Sequence, residues 1–218
     1  RTPSHEVALL EKFEEKLERI GRESVQENVT SIAGVPSWNL VMLKYILQTT
    51  GARNILEVWP NLELFIHGGV SFIPYREQFR NLIPSDAMHY LEAYNASEGF
   101  FAIQDDPKTA DMLLMLDYGI FFEFIPAEEL DRDHPKALTL GEVETDRNYA
   151  IVISTNSGLW RYMIGDMIRF TSLFPHKIVI SGRTRHFINV FGEEVIVDNA
   201  DKALRIACDK TGAEITDY

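Results

Sequence analysis

The chain has 218 residues, 45% hydrophobic and 25% charged, a globular composition with enough length to bury a sizeable core. Its 21 Lys and Arg against 33 Asp and Glu leave a net charge of -12, which argues against nucleic acid and against an anionic membrane as partner, so any anionic ligand needs a local exception. The single cysteine, Cys208, excludes an internal disulfide and any multi-thiolate metal site; no apolar run approaches transmembrane length and no signal peptide opens the chain, so a reducing, cytoplasmic setting is expected.

In chain order, SHEVALLEKFEEKLERIG carries apolar residues at Val7, Leu10, Phe13, Leu17 and Ile20, a helical period behind Ser4 as N-cap and before Gly21 as stop. The run from Asn39 to Gly51 is apolar almost all round and predicts a buried helix. Leu62 to Gly69 reads as a buried strand ending in the pair Gly68-Gly69, followed by a short helix bracketed by Pro74 and Pro84. HYLEAY and GFFAI are strands, and Met112 to Pro126 reads as a hairpin turning at Asp117 and Gly119. YAIVIST, GLWRYMI, DMIRFTS, HKIVISG and HFINVFGEEV alternate strands with turns, and a helix from about Asp198 to Lys210 closes the pattern. Helices with a mainly parallel sheet come first and an antiparallel, barrel-like portion follows, so the fold class is α/β, a mixed sheet flanked by helices plus a β-rich subdomain over about residues 112–197.

Several residue types have a chemical reading. Glu98, between LEAY and GFFAI, would sit near the buried end of a sheet, where an unpaired charge is costly; it is exposed, pairs with an arginine, or holds a hard cation through oxygen. Gly165-Asp166 reads first as a type II′ hairpin turn. The segment Trp160 to His186 holds Arg161, Arg169, Lys177, Arg183 and Arg185 against Asp166 alone, a local basic exception or a solvated basic face. His67, His89, His134, His176 and His186 lack zinc-hydrolase spacing, and neither a Gly-x-Ser-x-Gly elbow nor a Walker loop is present.

Taken in order, the Gly68-Gly69 pair, YNASE, WRYMIGD and GRTRHFINVFGEEV resemble the motifs of the adenylate-forming superfamily. Within it, GVPSW, LEVWPNLELFIHGG, YNASEGFF, FFEFIP, YAIVISTNSGLWRYMIGDMIRFT and SGRTRHFIN are most similar to the auxin-responsive Gretchen-Hagen-type acyl-acid amido synthetases, particularly their bacterial branch, from Val35 to Val197. The resemblance implies ATP and Mg²⁺ as cofactors, and a carboxylic acid and an amino acid as small-molecule substrates. It implies an adenylation step followed by acyl transfer to an amine, with a thiol-accepting acyl-CoA ligase or a non-catalytic binding module as alternatives. It also implies site roles. Tyr94, Asn95, Ala96 and Ser97 would line the nucleotide pocket, with Ser97 toward the phosphates or the adenine edge. Glu98 would reach Mg²⁺ on the triphosphate, and Asp166 would accept both ribose hydroxyls. Gly68, Gly69 and Val70 would lie against adenine and the acyl pocket, and Arg183 would act near the ribose-phosphate at the start of a hinge. Residues 1–197 would then be the C-terminal half of a large adenylation domain and 198–218 the start of the hinge region. The chain departs from the pattern in lacking a Ser/Thr/Gly-rich phosphate loop and a C-terminal lid, and in carrying Arg185, His186 and Asn189 in the hinge. With its start at Arg1 and its end at Tyr218, it reads as a piece of a larger protein.

Overall fold

The computed structural model of the protein describes residues 2–184, 188–190, 193–195 and 197–213. The chain divides into two compact units, Arg1–Leu91 with Cys208–Tyr218, and Glu92–Ala207.

The first unit begins with α1 (His5–Ala8) and α2 (Phe13–Ser24). Ser4 caps α1, its hydroxyl accepting from the Val7 amide at 3.4 Å. The single helix expected here is broken between Ala8 and Phe13, and it does not stop at Gly21. Gly21 lies inside α2 because a Cβ there would stand 2.9 Å from the Tyr45 ring; its smallness serves packing.

Strand β1 (Ser31–Gly34), helix α3 (Pro36–Thr50) and strand β2 (Leu64–His67) follow. β1 and β2 pair in parallel with Gly34 opposite His67, so α3 lies in the crossover that a parallel pair requires. Pro36 occupies the first turn of α3, where its missing amide proton costs nothing, and Gly51 ends it at φ 72 with its amide donating to the Leu47 carbonyl. Asn39 therefore lies within the helix, and its side chain donates to the Val35 carbonyl at 3.0 Å. The helix is not buried all round, since Leu40, Leu43 and Ile46 face the core while Trp38 and Val41 face outward. Helix α4 (Arg76–Leu82) lies between the two expected prolines. One core gathers Trp59, Phe65, Phe72, Tyr75, Phe79 and Ile83 with the apolar face of α3.

β3 (His89–Ala96) carries the chain across the boundary between the units. The second unit continues through β4 (Gly99–Ile103), β5 (Met112–Leu114), β6 (Ile120–Pro126), β7 (Asn148–Thr155), β8 (Tyr162–Leu173) and β9 (His176–Arg183). Then come β10 (Ile188–Val190) paired with β11 (Glu193–Val195), and α5 (Val197–Thr211). The sheet runs β3-β4-β5-β9-β8-β7-β6, with antiparallel neighbours throughout.

Two expectations fail here. β5 and β6 do not form a hairpin: the turn at Asp117–Gly119 exists, but β5 pairs with β4 and β9 while β6 pairs with β7. Strand propensity and a turn establish two strands but not their neighbours, which cross-strand burial decides. Likewise β8 runs straight through Gly165-Asp166, which is not a hairpin turn, and the turn that joins β8 to β9 lies at Phe174-Pro175.

All seven strands of this sheet contribute to one core that includes Tyr94, Phe101, Met112, Phe124, Ile151, Phe170 and Ile178. A second cluster, Ile125, Ala150, Val152 and Met167, covers the opposite face of β6, β7 and β8. β7 is apolar on both faces for this reason: Tyr149, Ile151 and Ile153 enter the first cluster, Ala150 and Val152 the second.

Candidate functional site

Ser97 and Glu98 form the two-residue turn joining β3 to β4, with Ala96 opposite Gly99. Neither residue has a positive φ, so the turn is not of the primed types whose twist matches a hairpin. A bulge beside it at Tyr94/Asn95 increases the local twist. Tyr94 is buried against Phe101, with ring centroids 4.9 Å apart, whereas Asn95 and Ser97 are exposed and Ala96 and Glu98 half-buried. Glu98 has no ion-pair partner among the described residues, so of its three possible readings structural pairing with an arginine is the one the structure does not support.

Among the described residues Asp166 is the buried carboxylate of this unit, 7% exposed. Gly165 reaches it with φ 94, a conformation that side chains disfavour, and the Thr184 amide donates to the Gly165 carbonyl at 2.8 Å. Across the β8–β9 ladder Asp166 faces Arg183. The Arg183 Nε donates to Oδ1 at 3.0 Å and the Tyr94 hydroxyl donates to Oδ2 at 2.8 Å. Both carboxylate oxygens are thus satisfied, which makes the buried charge tolerable. Burial pushes the Tyr94 phenol well above its ordinary range; the Asp166 charge and hydrogen bond add to this, Arg183 opposes it and Glu98 adds a little. Tyr94 is therefore a neutral, permanent donor.

The Tyr94–Asp166 bond also reveals the shape of the unit. β3 and β8 stand four strand steps apart in the sheet order, about 19 Å if the sheet were flat, more than a Tyr and an Asp side chain can span. The sheet curls so that β3 comes round to β8, in keeping with the barrel-like expectation.

A carboxylate can accept about four hydrogen bonds, so Asp166 with two in place retains acceptor capacity for two more, the need of a vicinal diol. Beside it, the Arg183 side chain is 62% exposed and can meet an anion while its Nε stays bound. Among the described residues no group of three or more His, Cys, Asp or Glu forms a metal cage. A single free carboxylate such as Glu98 still fits Mg²⁺, which commonly takes one or two carboxylates with the rest of its shell from phosphate and water.

Gly68, Gly69 and Val70 belong to the first unit, directly after β2. Gly69 has φ 85, and a Cβ on it would stand 3.3 Å from Val35 Cγ2. The carboxyl ends of the parallel strands β1 and β2 therefore finish in close-packed glycine turns, the end of an α/β sheet where ligands gather. Immediately before them His67 is buried, stacked on Phe72 at 4.2 Å, and its Nδ1 has no hydrogen-bond partner. Burial, aided by the Arg76 charge, pushes its pKa down to about 4, so the ring is neutral.

The basic segment is less available than its composition suggests. Arg161 Nε binds Glu123 at 3.0 Å, Lys177 lies 2.8 Å from Asp105 and 3.7 Å from Asp111, and Arg183 holds Asp166. Three of its cations answer carboxylates, and in two cases these come from earlier in the chain, Glu123 for Arg161 and Asp105 and Asp111 for Lys177. Arg185 and His186 lie outside the described residues. Sequence reasoning missed that Tyr94 and Asp166 touch. They stand 72 residues apart, and no local signal joins them.

Residues 1–88 match the GH3 family N-terminal domain and residues 113–183 the GH3 family central domain. The chain belongs to the GH3 family. It is 27% identical over 168 residues to the indole-3-acetic acid-amido synthetase GH3.3 of Arabidopsis thaliana, covering 72% of this chain and 27% of that protein. To GH3.4 of the same plant, also an indole-3-acetic acid-amido synthetase, it is 32% identical over 170 residues, with 70% and 27% covered. The chain thus spans about a quarter of the length of these GH3 relatives. Among solved structures, the AtGH3.15 acyl acid amido synthetase in complex with 2,4-DB superposes with a TM-score of 0.72 at 14% identity, over 92% of this chain and 44% of that one. A 2-hydroxyisobutyryl-CoA ligase superposes with a TM-score of 0.65 at 13% identity, over 88% and 40%. The fold of this GH3 chain is that of the N-terminal portion of adenylate-forming enzymes.

Proposed function

We propose that the full-length protein containing this chain is an ATP-dependent acyl-acid amido synthetase, which adenylates a carboxylic acid and passes the acyl group to the amine of an amino acid, releasing pyrophosphate and then AMP. Membership of the GH3 family supports the reaction class, and relatives named as amido synthetases support the acceptor. The single observation that carries the nucleotide reading is the buried Asp166, anchored on both oxygens with acceptor capacity to spare and an exposed guanidinium beside it.

In this reading Asp166 accepts the two ribose hydroxyls and Arg183 faces the ribose-phosphate. Tyr94, Asn95, Ala96 and Ser97 line the nucleotide; taken by themselves, Gly68 and Gly69, followed by Val70, form a turn whose two bare Cα atoms would admit the flat ring of adenine or an acyl group. Glu98 is the residue that would hold Mg²⁺, which when bound draws negative charge from the phosphates as the carboxylate approaches. The chain's own work is positioning: it holds two anions in line and supplies Arg183 as a fixed positive charge, with no nucleophilic side chain required. Residues 1–197 are then the C-terminal half of the adenylation domain and 198–218 the start of the hinge. A cytoplasmic setting suits an enzyme that uses ATP.

The test is pyrophosphate release by the full-length protein across a panel of carboxylic acids, followed by amine and thiol acceptors. Acid-dependent release completed by amino acids supports the reading; release completed only by a thiol reassigns the protein to the acyl-CoA ligases, and no release with any acid refutes the adenylation chemistry. Glu98→Gln should raise the Mg²⁺ concentration needed for half-maximal release without changing the fold, and an unchanged requirement would return Glu98 to a plain turn residue.

A further inference from the structure

Asp166 has two anchors of different quality. Arg183 approaches Oδ1 from the neighbouring strand β9, but its side chain is 62% exposed, so water competes for the guanidinium in that contact. Tyr94 approaches Oδ2 from β3, on the far side of the curled sheet, with its ring packed on Phe101 and only 5% of its surface exposed. Rotation of a carboxylate about its last bond is soft and broadly two-fold, so its direction is set by whatever holds its oxygens.

We propose that Tyr94 is a positioning residue for Asp166: its hydroxyl fixes the rotation of the buried carboxylate and thereby sets how sharply the site separates a ribose from a deoxyribose. The inference rests on the reading of Asp166 as the ribose acceptor. It gives Tyr94 a role apart from any ring contact with the base. The phenol's buried oxygen points at Asp166 and is used there, and its proton stays in place. With Oδ2 held by Tyr94 and Oδ1 by Arg183, the lone pairs left over point in fixed directions, and a pair of hydroxyls meets them without reorganising the protein. Without the phenol oxygen, Oδ2 is free to swing toward Arg183, and one hydroxyl loses its aligned acceptor.

The experiment measures apparent affinities for ATP, 2′-deoxy-ATP and 3′-deoxy-ATP in the full-length protein, for wild type, Asp166→Ala and Tyr94→Phe, with folding checked by circular dichroism and melting. Tyr94→Phe should weaken ATP about fivefold, the size of one hydrogen bond, while barely changing at least one deoxy analogue, so that the preference for ribose contracts. On the Asp166→Ala background Tyr94→Phe should have no further effect on that preference. Replacement of Tyr94 by 4-aminophenylalanine, which keeps a donor in place, should restore it. Replacement by 4-methylphenylalanine, which fills the space without donating, should not, and this form carries the test if Tyr94→Phe fails to fold.

A folded Tyr94→Phe or 4-methylphenylalanine protein with the full wild-type preference overturns the positioning role, leaving Tyr94 a core residue. If the wild type shows no preference, or Asp166→Ala keeps it, the ribose reading of Asp166 fails first and takes the inference with it. If Asp166→Ala abolishes the preference and Tyr94→Phe does not, the inference alone falls.

Discussion

Apart from tyrosines, each unit buries one titratable side chain among the described residues, His67 in the first and Asp166 in the second, and the two are handled oppositely. In the second unit Asp166 remains an acceptor because two donors, Tyr94 and Arg183, meet its two oxygens. In the first unit His67 is equally buried, with aromatic rings around it and no partner at Nδ1, and its pKa falls to about 4. The difference follows from what surrounds each group. A curled antiparallel sheet brings polar side chains from distant strands to one point, whereas the core around β2 offers Phe65, Phe72 and Phe79, which cannot hydrogen-bond a charge. One buried group has both oxygens held by donors, and the other is an imidazole whose charge burial suppresses.

The sharpest way to break this comparison is Asp166→Asn. The amide keeps the shape, but it turns a donor toward one side and loses the charge-assisted strength of the remaining bonds. Loss of a charged partner should cost roughly 1.5 to 3 kcal/mol of ATP affinity, about tenfold to over a hundredfold, read as the contraction of the gap between ATP and 2′-deoxy-ATP. An equal gap in both proteins would leave Asp166 without a ribose role.

His67 predicts a pH dependence of the opposite kind. Its folded pKa lies below the unfolded value near 6.5, so its contribution to stability is complete above pH 6.5, declines as pH falls to about 4 and is gone below that. The full amount is on the order of 3 kcal/mol, since each pKa unit is worth about 1.4 kcal/mol. Urea unfolding of wild type and His67→Phe at pH 7, 5.5 and 4.5 isolates it, because the carboxylates common to both proteins cancel in the difference. The wild type should lose ground to the variant as the pH drops; parallel curves would show that His67 is solvated or paired.

A smaller effect compares the glycines beside each group. Gly69 and Gly165 have φ 85 and 94, and an alanine at either would cost about 1 to 2 kcal/mol. Gly69→Ala should be the worse, because its Cβ meets Val35 at 3.3 Å, whereas that of Gly165→Ala finds only Thr184 Oγ1 at 3.8 Å. The order of the two melting temperatures checks this. Smallest of all is Arg161→Ala. Its pair with Glu123 is solvent-facing on the arginine side, so the loss should lie within about 0.2 to 1 kcal/mol in denaturant unfolding, well below the effect of disturbing Asp166.

Much of the local structure was legible in the residues themselves. Ser4 caps a helix, Gly51 ends one, and the strands around YNASE lie where alternation and turn residues put them. The order of four short motifs pointed to Tyr94, Glu98, Asp166 and Arg183 together, and the structure joins Tyr94, Asp166 and Arg183 through Asp166's two oxygens. The failures were of one kind. Gly21 looked like a stop and is a packing contact with Tyr45; Asp117–Gly119 looked like a hairpin and joins strands with different neighbours; Gly165-Asp166 looked like a turn and lies inside a strand. At Gly21 and at Gly165-Asp166 a residue suited to a break serves a contact with a partner elsewhere in the chain, and at Asp117–Gly119 the turn is real but strands distant in sequence decide its neighbours.

What the sequence by itself determined is the alphabet of elements and the identity of the polar groups, because backbone propensity, capping and periodicity act over a few residues. Only the tertiary structure decided which of those groups meet. The curl of the sheet, set by strand twist, bulges and the burial of one common core, carries Tyr94 around to Asp166 across 72 residues. In the first unit the aromatic core beside β2 leaves His67 with no partner at Nδ1. Whether a buried ionisable group keeps its charge depends on the donors within hydrogen-bond reach, and that reach is a property of the folded chain.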